Sequence, residues 1–164
     1  MPGIPEEKII PFEKLTSLAN DLRKAGKRLV TTNGCFDLLH WGHIKYLSDA
    51  RSLGDVLICG VNADVSVKRL KGNTRPIWPE RVRALQLAGL ESVDYVAIFQ
   101  EDTPVRFLEA VKPSIHVKGG DYKGKEIPEQ KVMTSIGGKV VCVPLVEGFS
   151  TTSLIERLKL LPNE

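Results

Sequence analysis

Two histidines three residues apart, His40 and His43, close the stretch Thr32-Asn33-Gly34-Cys35-Phe36-Asp37-Leu38-Leu39-His40-Trp41-Gly42-His43. If a helix begins here, that spacing puts both imidazoles on one face. Gly34 permits a sharp exit from a preceding strand, and Gly42 clears space where a ligand phosphate could approach. A helix start adds unpaired N–H groups and the positive end of its dipole. The combination predicts an anion site with two imidazoles aimed at one phosphate. Metal binding is the competing use, but no third ligand stands nearby and the His-Glu-x-x-His arrangement is absent, so no metal-ligating set is assigned. A plain helix cap is the bland reading.

Two further segments fit phosphate chemistry. Lys68-Arg69-Leu70-Lys71-Gly72-Asn73-Thr74-Arg75-Pro76 would by itself be a solvated basic loop. Beyond the end of a second strand and beside the histidine loop it becomes a phosphate clamp, with Lys68 and Lys71 favoured and Arg75 and Arg81 secondary. Near the C-terminus, Glu147-Gly148-Phe149-Ser150-Thr151-Thr152 offers hydroxyls and free N–H groups at another helix start, with Ser150 as N-cap. Gly119 to Glu126 nearly spells a P-loop, but Glu126 stands where a hydroxyl should hold Mg²⁺, and Pro128 interrupts the helix that must follow. A P-loop ATPase is rejected, and no G-x-G-x-x-G dinucleotide fingerprint occurs.

The elements that must position these groups follow from periodicity. Short Val/Ile/Leu-rich runs over 28–32, 56–61, 95–99, 114–118 and 139–144 read as strands covered on both faces. Helical patterns over 12–24, 41–53, 79–90, 104–111 and 150–161 fill the gaps, two of them opened by a proline. The expected fold is a Rossmann-like three-layer α/β/α arrangement around a mostly parallel five-stranded sheet. Residues 1–164 form one domain, with 1–27 a leading helical segment packed on it. In such a sheet, ligands sit beyond the carboxyl ends of the strands, near the point where strand order reverses.

Bulk properties narrow the class. The chain has 164 residues, 42% hydrophobic and 26% charged, which excludes disordered and fibrous classes. A net charge of +3 with only 6% aromatics suits a small phosphorylated ligand better than nucleic acid. Three widely spaced cysteines without a C-x-x-C pair argue against a disulfide framework. Without an apolar leader or a membrane-length run, a cytoplasmic protein is expected.

The His40-x-Gly42-His43 element behind a Gly-x-Phe-Asp loop closely resembles the H-x-G-H motif of the cytidylyltransferase-like, or nucleotidyltransferase, superfamily. Gly148-x-Ser150-Thr151-Thr152 matches its second motif. The resemblance implies that His40 and His43 contact the NTP phosphates and stabilise the pentacoordinate transition state; from its place in the basic loop, Lys68 is expected as a further catalytic cation. Gly34, Cys35, Phe36 and Gly42 would lie beside the nucleotide; Lys71, Arg75, Arg81, Gly148, Ser150, Thr151 and Thr152 would hold its phosphates. It also implies ATP as substrate and Mg²⁺ held mainly by the triphosphate.

Nearly the whole chain further resembles the adenylyltransferase domain of the ADP-heptose synthase family, through Thr32 to Asp37, Arg69-Leu70-Lys71-Gly72, Arg75-Pro76, Glu101-Asp102-Thr103-Pro104 and Val117 to Tyr122. This implies transfer of AMP from ATP to D-glycero-β-D-manno-heptose 1-phosphate, on the way to the lipopolysaccharide inner core. It implies a homodimer or higher homo-oligomer and, because the fused kinase of many members is missing, a separate heptose kinase upstream. No nucleic-acid or membrane partner is expected. Asp37, Lys118 and Asp121 are candidates for substrate contacts. The rivals are a glycerol-3-phosphate cytidylyltransferase-like CTP enzyme, weakened by Leu145 and Val146 where that family has Arg-Thr, and a nucleotide-binding scaffold without turnover.

Overall fold

The computed structural model describes residues 5–120 and 127–162. Five parallel strands form its centre: β1 (Leu29–Gly34), β2 (Val56–Asn62), β3 (Tyr95–Phe99), β4 (Ile115–Gly119) and β5 (Lys139–Val143), in the order β3-β2-β1-β4-β5. Chain order therefore runs outward from β1 to β3, then returns to the far side of β1. The reversal lies between β1 and β4, where Val30 faces Ile115 and Thr31 faces His116. This makes the carboxyl ends of β1 and β4 the expected place for a ligand.

The helices are α1 (Leu15–Lys24), α2 (Trp41–Arg51), α3 (Asp64–Lys71), α4 (Glu80–Ala88), α5 (Val105–Val111), α6 (Glu129–Ser135) and α7 (Thr151–Lys159). Side chains alternate across the strands, so each face builds its own core. Val30, Leu57, Cys59 and Val117 pack with Leu47 of α2 and Leu87 of α4. On the other face Leu29, Ile58 and Phe99 pack with Leu15 of α1, Phe107 of α5 and Met133 of α6. The leading segment contributes fully buried Leu15 and Ala19 to that second core.

All five expected strands and all five expected helices are present, with no edge displaced by more than three residues. β1 runs on to Gly34 because Asn33 and Gly34 pair with Gly60 and Val61 of β2. The expected helix over 12–24 opens as a 3₁₀ turn, Phe12–Lys14, before α1. Helices α3 and α6 escaped the sequence reading. Each has only seven or eight residues, too short for a periodic stripe to stand out, and each is held by packing rather than propensity.

The second core contains one polar anomaly. His116 is fully buried, with Nδ1 2.9 Å from Thr31 Oγ1. Its Nε2 finds no partner. Burial, helped by the nearby Lys118 charge and opposed by Glu129, lowers its pKa to about 4. In the unfolded chain the ring titrates near 6.5. Between those values the unfolded state binds the extra proton, so acid selectively stabilises it, and stability is lost as the pH falls from 6.5 towards 4. The expected loss from this residue at pH 4.5 is roughly 2–3 kcal/mol. Urea unfolding at pH 7 and pH 4.5 should therefore show a flatter acid response in His116→Gln than in the wild type. Equal acid responses would refute the assignment.

Candidate active site

The loop leaving β1 turns on a strained residue. Phe36 adopts φ 47°, the left-handed region that a bulky side chain seldom enters. Gly34 is needed for a different reason from the expected sharp exit. A Cβ there would come within 3.2 Å of the Phe36 ring, so the glycine lets that ring fold back onto the strand end. Gly42 likewise makes room for protein as well as ligand: a Cβ would meet the His40 ring at 3.0 Å and Phe149 at 3.3 Å.

His40 is the N-cap of α2 in extended conformation, and His43 lies in the first turn. Their rings stack with centroids 3.9 Å apart, and His43 meets Phe36 edge-on at 5.6 Å. Both Nδ1 atoms are buried without a hydrogen-bond partner. Burial lowers the pKa of both, and the neighbouring His40 helps bring His43 to about 4. At neutral pH both rings are uncharged, so each carries one N–H donor and one acceptor nitrogen.

Asp37 anchors the loop. Its Oδ1 accepts the N–H groups of Ile77 and Trp78 at 2.7 and 3.0 Å, and Oδ2 accepts Arg75 Nε at 2.5 Å. Both carboxylate oxygens are thus engaged by protein and tie the basic segment to the histidine loop, while Asp37 itself lines one of the cavities at the strand ends. Arg83, fully buried, makes the second tie. It donates to the carbonyl oxygens of Cys35 and Trp78 at 2.6 and 3.0 Å and to Asp64 Oδ1 at 2.8 Å.

Two cavities open at the carboxyl ends of β1 and β4. The first, about 370 Å³, lies between the start of α2 and the start of α7, among His40, Gly42, Tyr46, Leu145, Phe149 and Ser150. The second, about 570 Å³, lies on the opposite side of the sheet edge, among Asn62, Lys71, Arg75, Asp102, Glu129 and Thr152. Both fall in the size range of small-molecule sites. Asn33, Gly34, Cys35, Phe36, His43, Lys118 and Thr151 line both.

Several hydrogen bonds hold this shared wall. Tyr46 Oη donates to the Val117 carbonyl at 2.8 Å and meets Thr32 Oγ1 at 2.5 Å, locking α2 across β1 and β4. Ser150 caps α7 in a reciprocal arrangement with Ser153. Thr151 Oγ1 reaches the Leu38 carbonyl at 3.4 Å, bringing α7 onto the histidine loop. Burial raises the Cys35 thiol pKa more than Lys71, Arg83 and Arg75 lower it, leaving a neutral thiol.

The remaining sequence candidates separate. Lys71 and Arg75 line the second cavity, whereas Lys68 is exposed on α3 and lines neither. Lys118 lines both cavities, so the lysines at the cavity walls are Lys71 and Lys118. Arg81 is also exposed and on neither wall. Its neighbour Arg83 shares the inward stripe with Ala84, Leu87 and Ala88. An arginine on an apolar stripe was the signal that could have found it. Gly148 supplies a φ of 79° just ahead of the α7 cap but lines neither cavity. Asp121 and the near-P-loop residues from Asp121 to Glu126 lie outside the described residues. Asn33 and Glu129 are wall residues that motif reasoning did not single out.

No group of three or more His, Cys, Asp and Glu among the described residues is placed to hold a metal ion. None of their helices is long and apolar enough to cross a membrane. The site is a cradle of neutral imidazoles, helix-start amides and lysines, at the switch point of a parallel sheet.

Such a site on such a sheet defines a nucleotidyltransferase. The sequence profile of the cytidylyltransferase-like family matches residues 31–157, and the chain belongs to that family. It is 57% identical over 154 residues to the bifunctional protein HldE of Nitratiruptor sp. and 53% identical over 148 residues to that of Aliarcobacter butzleri. These matches cover 94% and 90% of this chain but only 32% and 30% of the relatives, so the chain spans about a third of their length. The crystal structure of the lipopolysaccharide core biosynthesis protein of Thermoplasma volcanium superposes with a TM-score of 0.61 at 34% identity, over 74% of this chain and 98% of that one. A pantoate-beta-alanine ligase from Francisella tularensis shares the fold at TM-score 0.63 and 14% identity, over 92% of this chain and 76% of that one.

Proposed function

We propose that this chain transfers AMP from ATP to D-glycero-β-D-manno-heptose 1-phosphate, giving ADP-heptose and pyrophosphate for the lipopolysaccharide core. The observation that carries the reading is the shared wall. Two cavities of unlike chemistry meet at His43, Lys118 and Thr151. Phe149, Leu145 and Val146 give the first an apolar side suited to a base, while Lys71 and Arg75 make the second suited to an anionic sugar phosphate. The likeness to the HldE proteins and to the lipopolysaccharide core protein supports the heptose acceptor.

In this reading a phosphate oxygen of the acceptor attacks the α-phosphorus in line. The new P–O bond forms as the bond to pyrophosphate breaks, and no covalent protein intermediate is required. Negative charge grows on the equatorial oxygens and the departing pyrophosphate. Imidazole N–H groups, the amides at the start of α7 and Lys118 are fixed donors placed to meet it. Mg²⁺ travels on the triphosphate and neutralises part of its charge. Asp121 remains a candidate for the sugar. A kinase acting on the sugar must supply the acceptor, and we assign the protein to the cytoplasm as a homodimer or higher homo-oligomer.

Pyrophosphate release tests this. Purified protein with Mg²⁺, ATP and the heptose 1-phosphate is expected to turn over, and replacing ATP by CTP should lower kcat/KM by about tenfold or more, the scale of lost base contacts. Preferred use of CTP with glycerol 3-phosphate, or no release with any acceptor, would overturn it.

A further inference from the structure

One wall of the second cavity carries a half-satisfied carboxylate. Glu129, the first residue of α6, is 5% exposed. Its Oε1 accepts Lys118 Nζ at 2.8 Å, whereas its Oε2 is buried with no hydrogen-bond partner. Burial alone would raise its pKa, but the hydrogen bond and charge of Lys118, with smaller help from its own backbone N–H and from His116, hold it below the usual carboxylate range. Glu129 is therefore ionised at neutral pH, and an ionised carboxylate only accepts hydrogen bonds. A buried acceptor left without a donor costs about 1–3 kcal/mol, more when charged, so the vacant lone pairs call for a donor from whatever fills the cavity.

The chemistry of that donor is constrained. A phosphate oxygen would be repelled by Oε2 and belongs instead with Lys118, Lys71 and Arg75 on the same cavity. A hydroxyl group fits. Asn33 adds a second buried oxygen without a partner, Oδ1, on the wall shared with the histidines. The cavity thus presents cations for a phosphate and separate acceptor oxygens for hydroxyl groups.

We propose that Glu129, held in place by Lys118, reads a hydroxyl of the acceptor and makes the second cavity selective for polyhydroxylated phosphates over plain alkyl phosphates. This rests on the nucleotidyl-transfer reading above and adds the residue that recognises the sugar portion.

The test measures pyrophosphate release with ATP, Mg²⁺, D-glycero-β-D-manno-heptose 1-phosphate and its monodeoxy analogues, using wild type and Glu129→Met, which keeps the volume and removes both oxygens. One monodeoxy acceptor should lose about tenfold or more in kcat/KM with the wild type, the scale of an unpaired buried charged group. That penalty should shrink to within about threefold in Glu129→Met, both acceptors being compared at saturating ATP so that any change in the Lys118 it holds cancels from the ratio. Glu129→Ala, which admits water beside Lys118, is run in parallel in case the methionine variant fails to bind ATP. Equal deoxy penalties in wild type and variants would overturn the inference, as would no deoxy penalty in the wild type. Failure of the wild type to turn over any sugar phosphate would instead sink the nucleotidyl-transfer reading itself, and this inference with it.

Discussion

His43→Ala is expected to lower turnover by roughly 10² or more, the cost of removing one fixed donor to a developing oxyanion. His43 is the one histidine on the wall common to both cavities, so it faces the place where donor and acceptor meet. Its ring stacks on His40 and touches Phe36, but its Nδ1 bonds to nothing in the protein. The loss should therefore appear in kcat, with a change in unfolding free energy of about 1 kcal/mol or less, as expected where no buried network is broken. The sign of its pH dependence follows from the lowered pKa. With that pKa near 4, the free enzyme's His43 is neutral throughout the range above pH 6. No His43 protonation limb near 6.5 is expected in kcat/KM for ATP; loss from its protonation should begin only as the pH falls towards 4. Near-wild-type turnover in the alanine variant would remove the histidines from the mechanism.

Arg83→Met should give the largest stability loss, about 3–5 kcal/mol, the range for breaking a buried charged network. The guanidinium is fully buried and serves three acceptors from three segments: Cys35 in the histidine loop, Trp78 ahead of α4, and Asp64 at the start of α3. Methionine fills the space but leaves two carbonyl oxygens without that donor. Asp64, about one-third exposed, can turn to water, so most of the penalty falls on the carbonyls and the loop they hold. Lysine should not rescue the variant, because a single ammonium cannot reproduce the fork that reaches all three. Urea unfolding at pH 7 checks this, and a loss below about 1 kcal/mol would show that the network contributes little.

Both variants probe one construction. The histidine loop is held from below by Arg83 and from the side by Asp37, which also fixes Arg75 beside the second cavity. Lys118 is held by Glu129 in the same manner. The groups that face the cavities are thus anchored by buried partners.

The sequence by itself determined the sheet class, the five strands, the loop that carries the histidines and the hydroxyl-rich start of α7. These are local properties: alternation along a strand, a helix start beside a glycine, a cap residue ahead of hydroxyls. His40, Gly42 and His43 fall within four consecutive positions, so their relation survives whatever the rest of the chain does. What only the tertiary structure decided was which charged groups line the cavities. Lys68 and Lys71 are three residues apart in one helix and indistinguishable by composition, yet only Lys71 lines a cavity. Arg83 and Cys35 are 48 residues apart, and Asp37 reaches Arg75 across 38. Such pairings depend on strand order and on the direction in which short helices pack, and no local pattern encodes either.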